Sequence, residues 1–485
     1  MLKFLLATAL FFTTRAFAAN PPPASPAQKP DIVFILIDDM GWKDIGCMGS
    51  AYYETPNIDK LAAQGMLFTA AYSAAPNCAP SRASLMTGMY TPRHHIYTVG
   101  DSNRGPIASQ KLIPVPNTEV LDPKWKTIAN VLDDAGYMTA SIGKWHIGKD
   151  PAAGPLAHGF HVNVGGNNQG SASSFFPPYR NPNLPDGPAG EYLTDRLTDE
   201  ALKFIDANKS RPFFLYLAHN AVHKPLMGKP ELVAKYKAKA RSGGQNNAVY
   251  AAMIESVDQS VGRIMARLEE LHLSDHTLVI FSSDNGGVGD VTSMQPLRGE
   301  KGMLYEGGVR VPFIARWPGR IAPGSRSDVP ITGVDIMPTF AAVAGGKLPA
   351  TQPQDGLSIL PLLDGSGKTL AREAIYWHFP CYLPGSNMGR GLRMVPATSL
   401  LAGTMKYQEF YEDSHAELYN LHDDISEQHD LLGSNARQTE KLRNLMDQWR
   451  KAVNAPIPTQ PNPQYNPSAT GKNKNAKGKG GGGGD

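Results

Sequence analysis

Cysteine is scarce in this chain: three in 485 residues, at positions 47, 78 and 381. That excludes a disulfide scaffold, and the odd number leaves at least one thiol outside any intramolecular bridge. A Cys47–Cys381 pair stays open; otherwise both read as small buried residues. Net charge is low as well, +3, and part of it lies in a lysine-bearing tail. This is no general footprint for nucleic acid. Past the N-terminus no run of about 20 apolar residues occurs, so no membrane span is expected. Internal repeats are also missing. What remains is ordinary globular composition, 41% hydrophobic and 19% charged, in a chain long enough for two or three domains.

The first residues read as a secretory signal peptide, residues 1–18. Lys3 is a short basic start, FLLATALFF an apolar run too short to span a bilayer, and AFA precedes a cut after Ala18, with Arg15 slightly out of place. The mature chain is therefore expected to be exported, to a periplasm or outside the cell. Residues 19–30, NPPPASPAQKP and its flank, form a Pro-rich linker. Residues 456–485 end in NKNAKGKGGGGGD and read as a basic, solvated low-complexity tail.

Between these ends apolar strands alternate with amphipathic helices. DIVFILI (31–37) has the unbroken apolar pattern of a strand buried on both faces. TIANVLDDAG (127–136) is helical, stopped by Gly136, and MTASIG follows as a strand. A stripe of Leu193, Leu197, Ala201, Leu202 and Ile205 precedes PFFLYLA. A long helix from Tyr250 to Leu271 precedes TLVIFSS. This alternation predicts an α/β fold on a large, mostly parallel sheet flanked by helices, spanning residues 31–370. Beyond about residue 345 the pattern weakens. YWHF, GTMKYQEFYED and ELYNLHDD read as short strands, and ARQTEKLRNLMDQWRKAV as a closing helix, giving a small C-terminal α+β subdomain over 371–455.

Each of four strands runs into a polar cluster: Asp38 and Asp39; Lys144, Trp145 and His146; His219 and His223; Asp284 and Asn285. In open α/β sheets the ligand crevice lies beyond the carboxyl ends of the strands, so the clusters are expected to converge. Either acidic pair alone reads as a turn. Together they form an all-oxygen donor set suited to Ca2+ or Mg2+ rather than Zn2+. Lys144 and His146 alternate around Trp145 and would share one side of an extended chain. With Arg82 and Lys301 they add positive charge fitted to a sulfate or phosphate ester. In NCAPSRASLMTG (77–88), Cys78 precedes a helix with Pro80 in its first turn and Gly88 at its end. Three readings of that cysteine are open: a thiolate nucleophile at a helix N-terminus, the precursor of a modified side chain, or a buried thiol.

CAPSR followed by ASLMTG resembles the signature of the type I sulfatases, within the alkaline phosphatase superfamily. GKWHIG (143–148), DDMGW, SDNGG and LRGEKGMLYEGGVRVPFIARWPG match that family's pattern in order, densely over residues 31–345, with ELYNLHDDISEQHDL matching more loosely. The resemblance implies the alkaline-phosphatase-like fold and an enzyme, a sulfuric ester hydrolase. It implies that Cys78 becomes formylglycine (3-oxoalanine), through a formylglycine-generating enzyme, and is hydrated to a gem-diol. One hydroxyl would attack sulfur, and deprotonation of the other would expel sulfate. Calcium would be held by Asp38, Asp39, Asp284, Asn285 and residue 78. Arg82 and Lys144 would hold the diol, His146 would be its base, His223 would assist the leaving group and Lys301 would bind sulfate. His219 is expected to be structural. In PRHH (92–95) the family more often has glycine where His95 stands.

An exported enzyme meets polysaccharides, so a sulfated carbohydrate is the expected substrate. DSNRG (101–105), GGNNQGS (165–171), Arg298, His378, Arg390 and Arg393 are candidates for reading it. Alternatives are a small aryl sulfate, a phosphate or phosphonate ester, or sulfoglycan binding without catalysis if Cys78 stays unmodified.

Overall fold

The computed structural model describes residues 29–385 and 392–468. The signal peptide, most of the Pro-rich linker, Arg390 and the Lys/Gly-rich end of the chain lie outside these residues.

The apolar runs form the middle of one eight-stranded sheet. Its strands are β1 (Asp31–Ile37), β2 (Met66–Phe68), β3 (Met138–Gly143), β4 (Val162–Val164), β5 (Phe213–His219), β6 (Thr277–Ser283), β7 (Phe313–Arg316) and β8 (Ser325–Ser327). The spatial order is β4-β3-β5-β1-β6-β7-β2-β8. The first five strands in that order are parallel. β7 runs antiparallel to β6 and β2, and β8 is parallel to β2. The sheet is therefore mixed, with a parallel centre.

Helices cover both faces, which is why β1, β5 and β6 are apolar throughout. Successive side chains point to opposite faces, so β1 splits between two cores. Val33, Ile35 and Ile37 pack with helices α1 (Pro56–Ala63), α4 (Leu193–Asn208) and α5 (Ala248–Glu270). Ile32, Phe34 and Leu36 pack with α2 (Cys78–Thr87), α3 (Ile128–Asp134) and α6 (Ile336–Ala344). Thr127 and Asn130 form a capping box at the start of α3, and Gly136 follows its end at φ +86°.

The C-terminal part builds a four-stranded antiparallel sheet from β9 (Ile375–Phe379), β10 (Ala397–Ala402), β11 (Met405–Phe410) and β12 (Ala416–Asn420). Helix α7 (Ala436–Ala452) packs on one face through Leu442, Met446 and Trp449. The other face joins Tyr72, Tyr97 and Leu304 of the larger part in a shared core. Lys406, fully buried, clamps this junction between Glu306 at 2.8 Å and Glu427 at 3.0 Å.

Residues 456–468 are mostly exposed to solvent but are tied to the body of the protein. Asn462 donates through its amide to the carbonyls of Ile107 and Gln110, and its backbone N–H donates to Lys111. All three cysteines are free, so Cys47 and Cys381 do not pair.

Candidate active site

β3, β5, β1 and β6 are neighbours in the sheet, so their carboxyl ends deliver four polar clusters to one place. Asp38 and Asp39 follow β1, and Asp284 and Asn285 follow β6. Asp39 N–H donates to Asp284 Oδ1 at 3.2 Å, and Asn285 Nδ2 donates to Asp39 Oδ1 at 2.8 Å. Lys144 reaches across β5 to Asp38 Oδ2 at 2.6 Å. Arg82, one helical turn after Cys78, donates Nε to Asp284 Oδ2 at 2.9 Å and Nη1 to the Lys144 carbonyl at 2.9 Å. Lys301 arrives from the segment after β6 and donates to Asp39 Oδ2 at 2.9 Å. All of these side chains are buried.

Cys78 is the first residue of α2, and its Sγ lies 3.4 Å from Asp38 Oδ1 and 3.8 Å from Asp39 Oδ1. Burial pushes its pKa up, more than Lys144 and Lys301 pull it down. The helix N-terminus does not make a thiolate here, because the thiol is buried and faces two carboxylates. The thiolate reading is thereby disfavoured.

His146 lines the same cavity as Cys78. It does not get there by strand alternation with Lys144, since β3 ends at Gly143 and His146 turns to φ +67°. Asp39 stands at φ +64°. Each left-handed non-glycine residue costs about 1–2 kcal/mol, and such strain concentrates at functional sites. His146 Nδ1 is buried with no hydrogen-bond partner. Burial, then the charges of Lys144 and Arg82, holds its pKa well below the usual histidine range. The ring is thereby held neutral. His223 Nδ1 lies 2.6 Å from its neighbour's carbonyl, Lys224 O, so Nδ1 carries the proton and Nε2 accepts from Lys301 Nζ at 3.1 Å. Burial and Lys301 bring its pKa down to about 3.

The donor chemistry fits a hard cation. Three carboxylates, Asp38, Asp39 and Asp284, are packed out of water, and burial raises the Asp38 pKa more than Lys144 lowers it, with Asp284 and Asp39 raising it further. Lys144, Lys301 and Arg82 each pair with one of these carboxylates, and Lys301 and His223 hold the Asp39 carboxyl below the ordinary range despite its burial. Asn285 Oδ1 is a buried acceptor with no partner. Asp38, Asp39, Cys78 and His223 offer atoms all within 4.8 Å of one another. The His223 lone pair is already engaged by Lys301, so the oxygen set of Asp38, Asp39, Asp284 and Asn285 is the better cradle for Ca2+ or Mg2+.

Comparison with known proteins now has a geometry to explain. The Sulfatase family model matches residues 30–346, and a second, N-sulphoglucosamine sulphohydrolase, C-terminal, matches residues 299–453. The chain belongs to the sulfatase family. It is a sulfuric ester hydrolase. A sulfatase of Formosa agariphila is 34% identical, covering 88% of this chain and 90% of its own. Human N-acetylgalactosamine-6-sulfatase is 32% identical, covering 90% and 87%. The crystal structure of Ps i-CgsB in complex with k-i-k-neocarrahexaose superposes with a TM-score of 0.73 at 31% identity, over 89% of this chain and 95% of that one.

The remaining candidates in this sulfatase scatter. His219 is fully buried away from the cavity and pairs with Ser260 Oγ at 2.9 Å. His378 is also buried elsewhere, between Thr398 and the Pro456 carbonyl. Arg298 is spent on Tyr419, Tyr305 and the Glu427 carbonyl. His95 adopts φ +60°, which explains why glycine is at home there. The 165–171 loop backs the His146 ring: Asn167 O accepts from His146 N at 2.9 Å, and Gly170 lies against the imidazole. Arg104 and Arg393 do line the cavity. Sequence reasoning missed Tyr216, whose hydroxyl accepts from Arg82 Nη1 at 3.3 Å. It sits inside the apolar run PFFLYLA, where only its polar tip set it apart.

Proposed function

We propose that this sulfatase is exported, to a periplasm or outside the cell, and removes sulfate from a sulfated carbohydrate. In this reading Cys78 is converted to formylglycine by a formylglycine-generating enzyme. One Ca2+, or Mg2+ in its place, is held by Asp38, Asp39, Asp284, Asn285 and residue 78. Residues 31–370 form the catalytic domain and 371–455 its C-terminal subdomain. The observation that carries the reading is a buried cysteine, unfit to be a thiolate, set against two carboxylates in a cluster that also holds Asp284, Arg82, Lys144 and Lys301. The carbohydrate is supported by the relatives: N-acetylgalactosamine-6-sulfatases from several mammals, and a sulfatase-fold crystal structure holding a neocarrahexaose.

When formed, the hydrated aldehyde supplies a nucleophilic hydroxyl and a second hydroxyl for release, and the cation supplies charge for the sulfate oxygens. The chain's own groups do the rest. Arg82 is fixed by Asp284 and the Lys144 carbonyl, which leaves Nη2 as a buried donor with no hydrogen-bond partner; it is assigned to the oxygens of residue 78 together with Lys144. His146 Nδ1 or Nε2 takes a proton from residue 78 as a neutral ring. Lys301 holds a proton 3.1 Å from His223 Nε2, and this pair serves the departing alcohol oxygen, which has a high pKa in a sugar. Loss of one such acid or base costs about 10²–10⁴ in rate.

Mass spectrometry of the peptide containing Cys78, from protein made alongside a formylglycine-generating enzyme, tests the nucleophile. The aldehyde is expected; an intact thiol in fully active protein overturns it. Sulfate release from a panel of sulfated saccharides, with 4-methylumbelliferyl sulfate as the aryl control, tests the substrate. Turnover of the aryl ester with no saccharide cleaved overturns the carbohydrate reading.

A further inference from the structure

Asp44 is a fully buried carboxylate that the chemistry above does not use. It closes the turn by which the chain leaves β1 after Asp38 and Asp39. Its N–H donates to the Gly41 carbonyl at 3.1 Å, and its Oδ2 accepts from the Gly41 N–H at 2.8 Å. The approach is so close that a Cβ on Gly41 would come within 2.8 Å of Oδ2. Further donors come from segments distant in sequence. Oδ1 accepts from Thr292 Oγ1 at 2.7 Å and from Gln245 Nε2 at 3.3 Å, and Oδ2 accepts from the Tyr250 hydroxyl at 2.6 Å. The directions are set by what stands behind each donor. Thr292 Oγ1 accepts from the Tyr53 hydroxyl at 3.0 Å, so its own proton goes to Asp44. Gln245 Nε2 also donates to the Lys43 carbonyl at 3.1 Å while its Oε1 accepts from Ser50, which fixes the amide. Both oxygens of Asp44 therefore face donors.

Tyr250 links this hub to the site. It stands in the first turn of α5, and its hydroxyl lies 3.3 Å from the Asp39 carbonyl as well. Asp39 holds a left-handed backbone at φ +64°, a conformation that persists only where its surroundings enforce it. Its N–H and carboxylate are engaged by Asp284, Asn285 and Lys301, which belong to the site itself. The Tyr250–Asp44 pair grips it from outside that cluster. We infer that Asp44 is a positioning residue for the cation site: through Tyr250 and the Gly41 turn it fixes the backbone of Asp39, so that the Asp39 carboxylate stands ready for the cation before it arrives. Groups that orient a metal ligand from behind set metal affinity by about 10- to 100-fold. This rests on the cation reading above.

Two variants separate positioning from a purely structural role. Asp44→Asn keeps the shape, but whichever way its amide is turned, an NH2 group meets donors: Gly41 N–H on one side, Thr292 and Gln245 on the other. Tyr250→Phe keeps the ring against Tyr53, at 5.4 Å between centroids, and removes the bonds to Asp44 and Asp39. Ca2+ affinity is measured by calorimetric titration of matured protein freed of metal by a chelator, and the melting temperature of each metal-free protein is recorded beside it. The Kd for Ca2+ is expected to rise about 10- to 100-fold in Asp44→Asn and about tenfold in Tyr250→Phe, beyond any change in the metal-free melting temperature. A Kd within about threefold of wild type in either folded variant overturns the inference; where Asp44→Asn does not fold, Tyr250→Phe decides alone. A lower metal-free melting temperature with an unchanged Kd leaves these residues a structural role only and overturns it as well. Wild-type protein that takes up no Ca2+ sinks the cation reading and this inference with it, whereas uptake by wild type and variants alike sinks this inference alone.

Discussion

Gly170 offers a way to move the proposed base without touching its chemistry. A Cβ built on Gly170 would lie 2.7 Å from His146 Nε2 and 2.9 Å from Cε1, whereas ordinary contact begins at 3.4 Å. One partner must therefore give by about 0.7 Å. The loop is the stiffer of the two. Asn167 holds the Asn181 side chain at 2.9 Å and the His146 N–H at 2.9 Å, and Asn163 bonds both the N–H and the carbonyl of Gly166. The imidazole, with one ring nitrogen unpartnered, yields. Gly170→Ala is thus expected to displace the ring and leave the fold intact. A misplacement approaching 1 Å costs about 10²-fold in rate, so kcat on 4-methylumbelliferyl sulfate should fall by about that factor. The melting temperature should change little, since no apolar contact is lost. Gly433→Ala, where nothing lies within 4 Å, is the control for the substitution itself. Mass spectrometry of the residue 78 peptide confirms equal maturation in all proteins. A Gly170→Ala enzyme within about threefold of wild type refutes the reasoning, because then either the loop moves or the ring's position does not matter.

Lys406→Met leaves Glu306 and Glu427 facing each other with the shared cation gone; stability to urea should fall by about 3–5 kcal/mol, and a change under about 1 kcal/mol would show the clamp to be idle. Asp31 is buried at the start of β1, and burial lifts its pKa to about 7 against an ordinary 3.8, the Phe213 N–H bond opposing. The folded state thus favours the neutral acid, a contribution fully present below about pH 3.8 and lost as pH rises through about 7. Asp31→Asn, neutral at every pH, should stabilise the protein by about 1–3 kcal/mol at pH 8 and progressively less toward pH 4, and an equal effect at both ends in thermal melts would contradict the assignment. Dialysis against a strong chelator should abolish activity and lower the melting temperature by several degrees, since ligand bound at about 100-fold over its Kd contributes about 2.7 kcal/mol. Ca2+ should restore both, and a melt indifferent to chelator and Ca2+ would remove the cation from the site.

What the sequence made legible follows from how parallel sheets are built. A strand buried on both faces reads as an unbroken apolar run, so the first polar residues after it mark the strand end; Asp38, Lys144 and Asp284 are visible for that reason, whereas the rule points to His219 before His223, and only the family resemblance of VHKP selects His223. Arg82 was visible because four residues on a helix bring a side chain over Cys78. The misses share a cause too. Lys144 and His146 were aligned by extended-chain alternation, but the backbone leaves the strand at Gly143 and turns left-handed at His146, a local strain no periodicity announces. Arg298 and His378 have the residue types of a sugar-binding loop, yet tertiary partners claim them. Gly170 could not be assigned as a wall behind a catalytic ring, because absence of a side chain leaves no pattern. Residues 456–468 are mostly exposed, as their composition suggests, but are also held by backbone and amide bonds that composition does not encode.

The electrostatics of the site argue that it was not assembled for stability. Asp38–Lys144, Asp39–Lys301 and Arg82–Asp284 are all buried ion pairs. Pairs of this kind gain little over apolar residues of the same volume, because desolvation offsets their attraction. Two left-handed residues, an unpartnered His146 nitrogen and an unpartnered Asn285 oxygen add further cost at the same place. The sheet centre beneath, apolar through β1, β5 and β6, supplies the compensating burial. Such a concentration of unfavourable local choices is what a preorganised charge-stabilising site requires: donors and acceptors held in place before the substrate arrives, so that no reorganisation is needed when charge develops.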